Sequence, residues 1–441
     1  MSALAHALAD QGYAVSGSDR GDSPVLDALR QAGVTVYVGH AAGQVAGADV
    51  VIYNTAIRED NPELAAARQS GKRVHHRSDM LAWMLRGKQG IAITGTHGKT
   101  TTSAMIAIIL QQAGRDPSGF IGGLVHEWGG NYRLGQGPQI VFEACESDAS
   151  FLEYVGCSQV VTGIEDDHLD QHKSSARLDE AFAAFLRSAD PNGFVVWYCE
   201  SERLAKLIHE TPARLISYGE AEGADYRARD VAFAGAETTF TVVRANGQTG
   251  HVRLPLPGRH NVLNALAAIA TAEALDVPFA DIAAALQGFR GTGRRFELLG
   301  QGNGLAVYDD YAHHPTEVRA TLAAARNFGA QRVIAIFQPH LYSRTRNLMA
   351  EFTAAFDAAD VVIINAIYAA REDPIPGVEG DVLADHIRRR SPGKLVMYLA
   401  GQEEIVDRVG EMAQPGDLIL TIGAGDIRKT GEALAQRLTK A

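Results

Sequence analysis

Lys99 lies between Gly95-Thr96-His97-Gly98 and Thr100-Thr101, a run of residue types that can hold a triphosphate. Glycines let backbone N–H groups converge on one anion, and the lysine adds a formal positive charge. The Thr100 hydroxyl follows directly, placed to ligate a magnesium ion bridging the phosphates of ATP. A Walker A loop has four residues between its glycines, whereas Gly95 and Gly98 are separated by two, so this is a shortened form. The plainer account is a strand-to-helix turn with an incidental lysine.

Further chemistry clusters at the ends of apolar runs. Gln139–Phe142 ends in Glu143, with Glu146 and Asp148 close behind, and 159–164 ends in Glu165-Asp166-Asp167-His168. Acidic groups facing phosphates are tolerable only if a metal offsets the charge, so Glu143 and His168 are read as magnesium ligands beside Thr100. For most of Glu146, Asp148, Glu165 and Asp166 a solvated acidic loop is the favoured reading. His260, Asn261 and Asn264 open a helix, where capping by Asn261 is the simplest role and reading a ligand edge the alternative. Gly291 to Glu297 joins glycine flexibility to Arg294-Arg295 and reads as a hinge. Beyond it, Asp309-Asp310-Tyr311-Ala312-His313-His314 and Gln338-Pro339-His340-Leu341-Tyr342-Ser343-Arg344 concentrate more polar groups than plain turns need.

These residues need elements to hold them. Ile91-Ala92-Ile93 reads as a buried strand before the glycine loop, and 101–112 as the helix after it. Residues 1–87 alternate short strands with helices, and their turns at Asp19, His40 and Thr55 lie at strand carboxyl ends, where open parallel sheets bind small molecules. Turn formation alone explains those three equally well. From 298 to 441 the alternation returns, with strands at 305–308, 333–337, 361–364 and 418–421. The Gly423-Ala424-Gly425-Asp426 turn resembles a dinucleotide loop only weakly. The expected organisation is α/β with three domains: a Rossmann-like 1–87, a P-loop-type ATPase 88–297 and a Rossmann-like 298–441. A length of 441 residues agrees with about three domains at roughly 150 residues each.

The bulk properties narrow the partners. A net charge of −11 argues against nucleic acid, which needs a broad basic face. No apolar run approaches the roughly 18 residues of a membrane span. Three cysteines without metal spacing, Cys145, Cys157 and Cys199, suit a reducing, cytoplasmic setting.

Taken in order, the phosphate loop, Glu146-Ser147-Asp148-Ala149-Ser150-Phe151, Asp167-His168, Pro257-Gly258-Arg259-His260-Asn261, Gly291 to Phe296, Asp309 to Glu317 and Gln338-Pro339-His340 resemble the Mur ligases. These are ATP-dependent amide-forming enzymes of peptidoglycan precursor synthesis. The Glu-Ser-Asp-Ala-Ser-Phe and Asp-Asp-Tyr-Ala-His-His-Pro runs favour an alanine-adding member, whose substrates are UDP-N-acetylmuramate and L-alanine. The resemblance implies that Asp19, His40 and Thr55 lie near the uridine, and that Gly95 to Thr101 with Lys99 hold phosphate. It places Thr100, Glu143 and His168 on magnesium, and His260, Asn261 and Asn264 on the adenine side. Arg295 would face the phosphates, and Tyr311, His313 and Arg344 the reacting carboxylate and amine. A homodimer is compatible with it.

The resemblance also implies a strand and a Gly-Ile-Gly-Gly type loop before Met1, so the expectation is that either the domain is built differently at its start, without that diphosphate-binding turn, or the chain begins at an internal methionine. Cys145 stands where the family usually has aspartate, Gly163 where it has asparagine and Leu341 where it has arginine. A ligase adding a whole peptide, and a nucleotide-binding regulator with impaired catalysis, remain the alternatives.

Overall fold

Short β-branched and aliphatic runs separated by helices become parallel strands wherever a crossover helix covers them. The computed structural model describes residues 1–167, 169–370 and 372–439, and divides into two compact units. One contains residues 1–221 and 267–282, the other residues 222–266 and those from 283 onward. This division runs through the expected middle segment, 88–297.

In the first unit, β1 (Ser16–Asp19) pairs in parallel with β2 (Thr35–Val38), and β3 (Val50–Tyr53) with β4 (Arg73–His76). The first strand was expected at Ala14-Val15. It lies two residues later, on Ser-Gly-Ser-Asp, because it is fixed by register with Thr35 to Val38 rather than by its own apolar content. Next come β5 (Gln89–Thr94), β6 (Ser118–Val125), β7 (Gly130–Arg133), β8 (Gln139–Glu143), β9 (Ser158–Val161), β10 (Phe194–Tyr198) and β11 (Arg214–Gly219). They are ordered β11-β10-β9-β5-β8-β6-β7, all neighbours parallel except β6 with β7. The chain leaves β5 towards β6, returns through β8 beside β5, and then passes to β9 on the other side. This reversal makes the carboxyl end of β5 a topological switch point.

The helix Lys99–Gln112 that follows β5 is buried from Thr100 to Leu110 on every face, which is why it lacks the one-sided pattern of a surface helix. Ile106, Ile108, Ile109 and Leu110 are at most 2% exposed, each burial contributing about 2–3 kcal/mol before entropy is charged. The first helix, Ser2–Asp10, puts Ala3, Leu4 and Ala7 into the same core as Phe120, Phe142, Phe151 and Phe182.

The second unit holds an antiparallel meander, β12 (Tyr226–Ala234), β13 (Glu237–Arg244) and β14 (Thr249–Leu254), which sequence reading had not anticipated. It also holds a six-stranded sheet of β15 (Glu297–Gly302), β16 (Leu305–Asp310), β17 (Arg332–Phe337), β18 (Val361–Ile364), β19 (Leu395–Tyr398) and β20 (Asp417–Ile422). The order is β15-β16-β20-β17-β18-β19, parallel apart from β15 with β16. Among the described residues no helix is long and apolar enough to cross a membrane.

Candidate active site

The phosphate loop begins where β5 ends. Gly95 adopts φ 124°, and a Cβ there would lie 2.3 Å from the Thr162 hydroxyl, so only glycine lets the loop pass the end of β9. Thr96 is locked on the same side: its N–H donates to the Gly163 carbonyl at 3.0 Å and its hydroxyl accepts from the Glu165 N–H at 2.8 Å. His97 Nε2 lies 3.5 Å from Glu165 Oε2. Gly98, at φ 82°, occupies the cap position of the buried helix, and its first turn carries Lys99, Thr100 and Thr101.

Lys99 folds back over its own loop. Its ammonium donates to Gly95 O at 2.5 Å, Thr96 O at 3.3 Å and Glu146 Oε1 at 2.8 Å. Burial opposes that charge, but Glu146, with Cys145 and Glu143 behind it, outweighs burial and holds the Lys99 ammonium above its ordinary pKa. Glu146 is 3% exposed, and its second oxygen has no hydrogen-bond partner among the described residues. The expectation of a solvated acidic loop is therefore overturned for Glu146: the turn after β8 folds inward over the lysine. Glu143, at the end of β8, accepts from the Thr100 hydroxyl at 3.2 Å and from the Gly122 N–H. The structure thus brings Lys99, Thr100 and Glu143 together, while His168 lies outside the described residues.

In the first segment the strand-end residues separate into two groups. Ser18 places its hydroxyl 3.0 Å from His40 Nδ1 and donates to Glu63 at 2.6 Å, while Asp19 is exposed beside them. Thr55 instead joins His76 and Asp148: its hydroxyl lies 3.1 Å from His76 Nε2 and donates to the Asp148 carboxylate. Asp148 also accepts the Ser150 N–H, and these bonds, with His76, outweigh burial and keep it ionised below its usual range. It too departs from the solvated reading.

In the second unit, Asn261 does not cap its helix through its side chain. Its amide donates to Pro257 O at 2.7 Å and the Asn264 amide donates to Asn261 Oδ1 at 3.2 Å, which braces the turn leading into Arg259–Ala274. The His260 ring sits over Gly258, where a Cβ would approach it to 2.7 Å. Arg295 and Arg294 flank the Tyr311 ring at 5.2 and 4.9 Å. Arg294 also donates to Asp309 and to the carbonyls of Gly423 and Gly425. The glycine turn after β20 is thus filled by the protein's own arginine. Asp310 accepts the Phe296 and Ala312 N–H groups at 2.8 Å each, and burial pushes its carboxyl up to about 6 against the pull of Arg295. His313 Nδ1 lies 3.0 Å from Tyr311 O and 3.4 Å from Glu317, and its ring meets Tyr311 and His340 edge to face. Arg344 is 7% exposed, with its guanidinium 3.4 Å from His340 Nδ1. Tyr311, His313, His340 and Arg344 therefore form one cluster at the carboxyl ends of β16 and β17.

Comparison with known proteins decides the family. Residues 1–89 match the Mur ligase family catalytic domain, 93–272 the Mur ligase middle domain and 294–425 the Mur ligase glutamate ligase domain. A UDP-N-acetylmuramate–L-alanine ligase of Geobacter sp. (strain M21) is 43% identical over 100% of this chain and 96% of its own length. Another, from Pelotomaculum thermopropionicum, is 44% identical over 99% of this chain and 95% of its own. The chain belongs to the Mur ligase family. Among solved structures, the UDP-N-acetylmuramate–alanine ligase of Thermotoga maritima superposes with a TM-score of 0.85 at 30% identity, covering 99% of this chain and 96% of that one. A murein peptide ligase from Psychrobacter arcticus gives 0.74 at 26% identity, over 100% and 97% of the two chains. The fold is the three-domain Mur ligase fold, and ATP is the energy source of such ligases.

The three positions at which the resemblance implied other residues are accommodated locally. Burial, then Glu146, raises the Cys145 thiol above its ordinary pKa, and its sulfur lies 2.9 Å from the Ser147 hydroxyl. Gly163, at φ 138°, has only Tyr198 near the position of an added Cβ, at 3.9 Å. Leu341 adopts φ 71°, rare for a branched side chain, and stays buried at the start of Tyr342–Asn347.

Proposed function

We propose that this Mur ligase joins L-alanine to UDP-N-acetylmuramate in peptidoglycan precursor synthesis, using ATP to activate the muramoyl carboxylate. The observation that carries the reading is the shortened phosphate loop, with Lys99 against Glu146 and Thr100 against Glu143, in a chain whose full-length relatives bear that substrate pair in their names. A carboxylate is a poor acyl donor because oxide would have to leave. Transfer of the γ-phosphate releases ADP and gives an acyl phosphate, and attack of the alanine amine on its acyl carbon expels inorganic phosphate and forms the amide. Two anions must meet for that transfer, and Lys99 with Arg295 offsets the charge that resists it. His313, with Nδ1 held by Tyr311 O, turns its other nitrogen to the amine as an orienting group or base. Arg344 fixes the alanine carboxylate. Asp19, His40 and Thr55 lie on the uridine side, while Gly95 to Gly98 and Thr101 surround phosphate. His260, Asn261 and Asn264 form the adenine side.

The oxygen donors beside the loop fit magnesium: a hydroxyl, the Glu143 carboxylate and the oxygen of buried Glu146 that has no partner among the described residues are hard ligands. Thr100, Glu143 and His168 would hold it, and when bound it supplies further charge neutralisation at the phosphates. We place the reaction in the cytoplasm, in keeping with three free cysteines, and a homodimer is the assembly to test by sedimentation.

The assay follows ADP release while UDP-N-acetylmuramate is added first and L-alanine second. Little ADP without both and stoichiometric UDP-N-acetylmuramoyl-L-alanine with both is the expected result. Substrate-indifferent hydrolysis without amide product would make the chain a regulator. Product only with a peptide amine would promote the peptide-adding reading that the likeness to the Psychrobacter arcticus enzyme favours.

A further inference from the structure

The turn from Cys145 to Phe151 carries two inward carboxylates that serve different parts of the first unit. Glu146 holds Lys99 of the phosphate loop at 2.8 Å, and two residues later Asp148 holds Thr55, at the end of β3. The turn between them is short and braced. Phe151 N–H donates to Cys145 O at 3.1 Å, Ala149 N–H to Glu146 O at 3.1 Å, and buried His172 donates from Nε2 to Glu146 O at 2.7 Å. Ala149 is held at φ 58°, a conformation a non-glycine residue keeps only when its surroundings impose it. Movement of Asp148 therefore cannot be absorbed by slack before it reaches Glu146.

The contacts on the other side form a chain. His76 Nδ1 lies 2.8 Å from the Ser78 hydroxyl and 3.4 Å from the Ser78 N at the start of its helix, which fixes the ring. His76 Nε2 lies 3.1 Å from the Thr55 hydroxyl, and that hydroxyl donates to Asp148. His76 and Asp148 are 19% and 15% exposed, and Nε2 lies 3.9 Å from the carboxylate. The result is a relay from the ends of β3 and β4 into the turn that sets the lysine's carboxylate.

We infer that Asp148 is a positioning residue that makes UDP-sugar and nucleotide binding cooperative, an inference that rests on the ligase reading above. A ligand seated at the carboxyl ends of β3 and β4 orders Thr55 and His76, which orders Asp148 and hence Glu146 and Lys99. The nucleotide then binds a loop whose ordering cost has already been met, and by linkage it favours the sugar by the same factor.

The test titrates the full chain with a non-hydrolysable ATP analogue, with and without saturating UDP-N-acetylmuramate. The parent should bind nucleotide at least about fivefold tighter with the sugar present, the low end of ordinary coupling. Asp148→Ala should lower that factor to under about twofold. Thr55→Val, at an exposed position that does not threaten folding, should do the same, and Thr55→Ser should restore it. An equal factor in all four proteins, or none in the parent, overturns the inference while leaving the ligase reading intact. A parent that binds nucleotide but no UDP-sugar sinks the ligase reading, and the inference with it.

Discussion

Two cation–carboxylate pairs, each with a nearly inaccessible acid, sit at opposite kinds of sheet edge. Lys99–Glu146 lies beyond the carboxyl end of β5, whereas Arg332–Asp417 joins the first residues of β17 and β20 at their amino ends. In the second pair every oxygen is satisfied. Asp417 takes Arg332 Nε at 2.8 Å on one oxygen, and Arg332 Nη2 at 2.6 Å with the Gln414 N–H at 2.8 Å on the other. Arg332 also donates to Met412 O, and its hydrogen bonds to Asp417 raise its pKa further. In the first pair one Glu146 oxygen is left without a partner among the described residues, and the lysine spends its remaining donors on the carbonyls of its own loop. A closed network holds a fold, whereas an open one leaves capacity for something else to bind. On the function proposed above, the difference separates a structural pair from one set for phosphate.

The largest effect expected from breaking this contrast is in Lys99→Ala. ATP turnover should fall on the order of 10²-fold or more, the loss typical of a charge that stabilises a transition state. Because Glu146 would then be buried without its cation, the same variant should lose stability, and adding Glu146→Gln should restore the stability but not the turnover. Steady-state ADP release and thermal midpoints measured on the single and double variants check both halves.

Gly122→Ala asks less of the site. An added Cβ would come within 2.7 Å of the Glu143 carboxylate and push it off the Thr100 hydroxyl. Activity at limiting magnesium should fall about tenfold, as for a disturbed ligand support, and excess magnesium should recover part of it. Magnesium titrations superimposable on those of the parent would detach Glu143 from the metal.

The smallest effect is one of pH. Burial pushes the folded Asp310 carboxyl up to about 6, above the ordinary aspartate value of about 3.9, so between those two values the folded chain binds the extra proton. Stability from this group is therefore complete below its unfolded pKa and is lost as pH rises towards 6, with a slope of at most about 1.4 kcal/mol per pH unit. Asp310→Asn should flatten that part of the stability profile, whatever it does to the absolute midpoint, and an unchanged slope would contradict the assignment.

The contrast between the two pairs also marks what sequence could disclose. The strand, glycine loop and helix around Lys99 were legible because their residue types are demanded by local geometry, and β17, β18 and β20 because they are continuous buried apolar runs. The solvated reading favoured for most of Glu146, Asp148, Glu165 and Asp166 does not hold for Glu146 and Asp148. Glu-Ser-Asp-Ala reads as a polar loop, and nothing in its composition says that it folds back over a lysine 47 positions earlier. The spacing of two acids around one serine directly after a strand ending in Glu143 was the available signal. The Arg294 contacts to Gly423 and Gly425 were hidden for the same reason, since they join positions about 130 residues apart in sequence.

Nucleotide-linked thermal stability tests the central distinction most directly. A non-hydrolysable ATP analogue at about 100 times its dissociation constant should stabilise the parent by about 2.7 kcal/mol and raise its midpoint. Asp417→Ala should lower the starting midpoint, through loss of the bonds to Arg332, yet keep the nucleotide-induced rise. Lys99→Ala should lose that rise. A rise retained by Lys99→Ala, or abolished by Asp417→Ala, would contradict the division of the two pairs into one that binds and one that holds.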